Sequence, residues 1–125
     1  MLFYKFHSQE ERKKLFGGDC VELAYCRLPR GTDEETVLHD FACWSDDSLY
    51  IDSSEEEDFF AFYDGIFTGR NGTKEIDWFG LCWFSPEETA RIMEQVRKEK
   101  PMDWEILLPW LEAGKAYNGF YFLGI

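Results

Sequence analysis

The sequence predicts an α+β fold, a largely antiparallel sheet with helices packed on one face. Three observations carry this: short β-prone runs (among them 2–6, 20–28, 37–44, 48–52, 78–84 and 118–125), two clear helical stretches late in the chain, and turn residues that separate them. The 125 residues make one domain, 1–125, with no repeat, low-complexity linker or Pro/Gly-rich boundary to divide it. A hydrophobic content of 45% with 18% aromatics is that of a folded chain, despite the charge.

Taken in order, LFYKF at 2–6 reads as a short strand. Ser8 followed by Glu11 is a capping-box pattern, so a short helix begins there and stops at Gly17-Gly18. CVELAYCRL at 20–28 is a strand with Val21, Leu23 and Tyr25 on one face and Cys20, Glu22, Ala24 and Cys26 on the other. A loop at PRGTDEE leads to VLHDFACW (37–44) and SLYID (48–52), which pattern as a hairpin across Ser45 to Asp47.

SSEEEDFFAFYDG is expected to be helical, with Ser54 and Glu57 as a second capping box. Asn71-Gly72 is a hairpin signal between two β-prone runs, and the second run, ending in WFGLCWF, is apolar on both faces and is expected to be a central strand. Ser85, Pro86 and Glu88 open the clearest helix, Pro101 ends it, and its inward stripe is Thr89, Ile92, Met93 and Val96. DWEILLPWLEAG continues as a helix that Pro109 should kink or divide and Gly114 should end. NGFYFLGI returns as a strand to the sheet.

Charge is the main functional clue. The chain has 25 acidic and 13 basic residues, a net charge of -12. No base occurs between Arg30 and Arg70, and that gap holds twelve acids, so the remaining acids and bases cancel. Two unit charges about 10 Å apart in water repel by roughly 0.4 kcal/mol before screening, so the arrangement costs stability. Within the gap, the rings of Tyr50, Phe59, Phe60, Phe62 and Tyr63 are interleaved with the carboxylate runs. Aromatic anchors ringed by charge have the composition of an interface.

Catalytic chemistry finds no such support. His7 and His39 stand in different segments without ligand neighbours at metal spacing, and an EF-hand pattern begun at Asp46 fails at Tyr50 and Ile51. GGDC and GRNG do not fit the order and spacing of a phosphate loop, in which Gly is followed by Lys and then Ser or Thr. The expectation is therefore no catalytic residue, no metal and no cofactor. The charge sign argues against direct nucleic-acid contact. No apolar run is long enough to span a bilayer and no export signal opens the chain, so the expected location is cytoplasmic. Cys20, Cys26, Cys43 and Cys82, without a CxxC pair, read as reduced core thiols.

In size, acidity, α+β patterning, aromatic richness and lack of a catalytic set, the chain resembles the small acidic immunity proteins of bacteria, which neutralise a cognate toxin, commonly a nuclease, in contact-dependent or related systems. That resemblance implies a binding protein whose partner is a basic toxin. The contact residues come from charge alone: Asp46, Asp47, Asp52, Glu55, Glu56, Glu57 and Asp58, with Tyr50 and Phe59 as aromatic anchors. The alternatives are another acidic binding module, either a DNA-mimic regulator or an adaptor, and a small enzyme.

Overall fold

A computed structural model describes residues 1–69 and 75–125. The fold is α+β, and every strand pairing in its four-stranded sheet is antiparallel. The strands are β1 (Cys20–Tyr25), β2 (Leu49–Asp52), β3 (Leu81–Phe84) and β4 (Phe120–Leu123), in spatial order β2-β1-β4-β3. The helices are α1 (Gln9–Leu15), α2 (Glu34–His39), α3 (Glu56–Thr68), α4 (Pro86–Glu99) and α5 (Trp104–Ala113).

Strand alternation divides the core. Val21, Leu23 and Tyr25 share one face with Leu49, Ile51, Phe84, Phe120 and Phe122. Onto this face pack the apolar stripes of the three long helices: Phe59, Tyr63 and Phe67 from α3, Ile92, Met93 and Val96 from α4, and Leu107, Trp110 and Leu111 from α5. Burying a side chain of this kind stabilises by roughly 1.5–3 kcal/mol, so this layer dominates the fold's energetics. The opposite face carries two smaller clusters. Val37 of α2 meets Cys26, Trp83 and Tyr121, while Phe16 after α1 packs on Phe6, Cys20 and Tyr50.

Several local expectations hold. Ser85 and Glu88 form the reciprocal capping box of α4, and Ser8 accepts a hydrogen bond from the Glu11 amide at 3.2 Å. Gly119 opens β4 at φ +75°, and a Cβ there would lie 1.9 Å from the Phe84 carbonyl oxygen, so a side chain does not fit.

Others are corrected. Residues 37–44 are not a strand, because Asp33 accepts from the Thr36 amide at 2.9 Å and caps helix α2, whose first turn holds Glu34 and Glu35 at the positive dipole end. Segment 2–6 contributes one bridge, in which Tyr4 and Tyr50 exchange two backbone hydrogen bonds of 2.9 Å. The Ser54 hydroxyl donates to Asp52 rather than capping α3, which instead follows a 3₁₀ turn at Ser53–Glu55. Pro109 does not divide its helix, which runs unbroken from Trp104 to Ala113. Among the described strands β3 stands last, beside β4. The Asn71-Gly72 hairpin lies outside the described residues, and Ile66 to Thr68, expected to be β-prone, finish α3. Among the described residues no helix is long and apolar enough to cross a membrane.

Candidate partner-binding surface

The carboxylates inferred from charge occupy two neighbouring stretches. Asp46 and Asp47 sit in the loop before β2. Asp52 ends that strand, Glu55 lies in the 3₁₀ turn, and Glu56, Glu57 and Asp58 form the first turn of α3. Acids are stabilised there by the helix dipole, which offsets part of their mutual repulsion. Asp46, Glu57 and Asp58 are exposed, and Asp47, Asp52, Glu55 and Glu56 are half-buried.

Asp47 is engaged internally. Its carboxylate pairs with Arg27 and its carbonyl accepts the Trp110 indole N–H at 2.7 Å. Among the described residues, Asp46, Asp52 and Glu55 to Asp58 make no ion pair.

Both aromatic anchors inferred from sequence are corrected. Phe59 is on the inner side of α3, fully buried against Tyr63, Phe67, Trp78 and Phe122. Tyr50 is also fully buried. It projects from β2 onto the smaller core face, where its hydroxyl donates to the Ser45 carbonyl at 2.8 Å and accepts from Gln9 at 3.0 Å. Burial raises its pKa well above the ordinary tyrosine value. In an alternating strand beside a closed face, a ring follows the period and not the charge of its neighbours.

The rings that do reach solvent in this acidic third are Phe41, Trp44 and Phe62, each 40–43% exposed. Phe41 to Trp44 is a continuous exposed run of two aromatics, an alanine and a cysteine. Cys43 is thus exposed, unlike Cys20, Cys26 and Cys82, which are buried as expected.

This run is held from beneath by Glu22. The Glu22 side chain leaves the middle of β1, flanked across the sheet by Tyr50 and Leu123, and is only 2% exposed. Its carboxylate accepts from the Trp44 amide at 2.7 Å, the Ser45 amide at 3.0 Å and the Ser48 hydroxyl at 2.6 Å. A buried carboxylate is tolerated because such hydrogen bonds replace its water. In return it fixes Trp44 at φ +59°, a left-handed conformation that a bulky residue rarely adopts.

Arg12, itself buried, lies 3.8 Å above the Trp44 ring and donates to Gln9 at 2.7 Å and to the Gly17 carbonyl. Between the run and the sheet lies a cavity of about 170 Å³ lined by Cys20, Glu22, Phe41, Cys43, Trp44, Leu123 and Gly124. Partial desolvation, and then the Glu22 charge, raise the Cys43 thiol pKa.

Phe62 has different company. It borders a groove of about 600 Å³ between α3 and α4 that also contains Arg91, Lys98 and Glu99. The Arg91 guanidinium donates to the carbonyls of Ile66 and Phe67, both at 2.8 Å, and so satisfies the last turn of α3.

Periodicity and capping together held a signal for the exposed run. Asp33 followed by two glutamates is a helix start, and a helix from 34 to 39 leaves Phe41 to Trp44 as a connection rather than a strand. The Glu22 contacts have no such signal, since they join residues more than twenty apart. No family model, no curated protein and no solved structure matches the chain.

Proposed function

We propose that the protein is an immunity protein that binds a basic cognate toxin, a nuclease being one such partner, and neutralises it by occupying its positively charged surface. The observation that carries this reading is the array of six carboxylates, Asp46, Asp52 and Glu55 to Asp58, that have no ion-pair partner among the described residues and lie in a segment of the sequence devoid of bases. Such an array raises the association rate of a cationic protein and disfavours anionic competitors. Salt weakens the encounter, while desolvated contacts at its centre hold the complex.

Neutralisation is the test. Co-expression with a basic toxin encoded beside this chain should restore bacterial growth, and a variant carrying Glu55→Gln, Glu56→Gln, Glu57→Gln and Asp58→Asn should fail to restore it while keeping its circular dichroism spectrum. Growth that stays arrested with the unaltered chain, or rescue that is equal for the neutralised variant, overturns the reading.

A further inference from the structure

We infer that the run Phe41 to Trp44, with the cavity beneath it, is the apolar anchor point of this interface, and that it receives a ring-sized apolar side chain flanked by lysines or arginines on the partner. The inference rests on the binding function proposed above and names the part of the surface that would confer specificity.

Size sets the first condition. An apolar cavity of about 150 Å³ accommodates benzene, and the space here is about 170 Å³. The space is half open, and its walls are chiefly Phe41, Trp44, Cys20, Cys43 and Leu123. Glu22 also lines it, but its carboxylate is already engaged by the Trp44 and Ser45 amides and the Ser48 hydroxyl, so one aromatic or branched aliphatic side chain is the matching occupant.

Rigidity is the second. Exposed rings on a mobile loop lose entropy when they bind, but this run is already held by the Glu22 hydrogen bonds and the Arg12 stack. A left-handed tryptophan maintained by a buried carboxylate is costly for the fold alone. The third condition is charge. Exposed Glu34, Glu35 and Asp40 precede the run and exposed Asp46 follows it, so the approach is anionic on both sides in sequence. The groove beside Phe62, by contrast, contains Arg91 and Lys98 with only Glu99 to offset them, which disfavours the same partner.

Two short peptides probe this directly: one with phenylalanine between two lysines on each side, and one with alanine in its place. Titrated into the isotope-labelled protein at low salt, the phenylalanine peptide should bind roughly tenfold more tightly, the scale of burying one aromatic side chain. Its amide shifts should centre on Ala42, Cys43, Ser45, Leu123 and Gly124. Alkylating Cys43 with N-ethylmaleimide, which fills the cavity entrance on the folded protein, should reduce that peptide to the affinity of the alanine peptide.

Equal affinity of the two peptides, shifts centred on Glu57 to Gly65, or insensitivity to alkylation overturns the anchor while leaving the acidic interface standing. Absence of binding by either peptide at low salt overturns both.

Discussion

Helix α3 and the loop from Phe41 to Asp47 draw on the same materials, carboxylates and aromatic rings without a base, and use them in opposite ways. In α3 the helical period does most of the sorting: Phe59, Tyr63 and Phe67 turn inward, and Glu57, Asp58, Ala61 and Asp64 turn outward, with Phe62 as the helix's one exposed ring. The loop has no period to sort its side chains, and a buried glutamate holds its rings at the surface. Composition therefore identifies an acidic, aromatic region, but only the backbone decides which rings a partner can touch.

The largest expected effect tests that division by exchanging rings for methyl groups. Phe59→Ala should lower stability by about 3–5 kcal/mol, as deletion of a core ring does. Phe41→Ala should cost less than about 1 kcal/mol, being a surface change. Denaturant titration of both variants checks this, and comparable losses would mean that Phe41 belongs to the core.

The middle effect concerns the support of the loop. Glu22→Ala leaves the Trp44 and Ser45 amides and the Ser48 hydroxyl without their acceptor, at a cost of about 3 kcal/mol. The response should be local as well as global. Amide hydrogen exchange at Trp44 and Ser45 should accelerate far more than at Phe59 to Phe67. Uniform acceleration would show that loop and helix open as one unit.

The smallest effect is a pH dependence at the entrance to the loop. Hydrogen bonds from Thr36 hold the Asp33 carboxyl below the ordinary aspartate range. A lowered folded-state pKa means a contribution that is present above the unfolded value and is lost as pH falls through the folded one. Helix α2 should therefore fray at acid pH, from the ordinary aspartate range downward, before α3 does. Amide shifts of Thr36 and Val37 followed against pH would record this, and Asp33→Asn, which retains a capping oxygen, should flatten the profile. An unchanged profile in that variant would remove Asp33 from the account.

What the sequence made legible follows the range of the interactions involved. Caps and stripes are local, so α1 and α4 are readable from Ser8, Ser85 and the Ile92-Met93-Val96 pattern. The helix at 34–39 was readable too, but the β-prone Val37, Phe41 and Trp44 pointed the other way. Burial of Tyr50 depends on Gln9 and Phe6 closing over it, and exposure of Trp44 depends on Glu22. Both are long-range consequences of the sheet order, and no window of neighbouring residues contains them.

That order also governs how the chain must assemble. β4 lies between β1 and β3, so residues 20–25 cannot complete their ladder until residues 120–123 arrive. Non-local pairing of this kind slows folding and leaves strand edges open meanwhile. While those edges are open, mutual repulsion among the uncompensated carboxylates would keep one chain from adding its strands to another, a protective service rendered before the native surface exists.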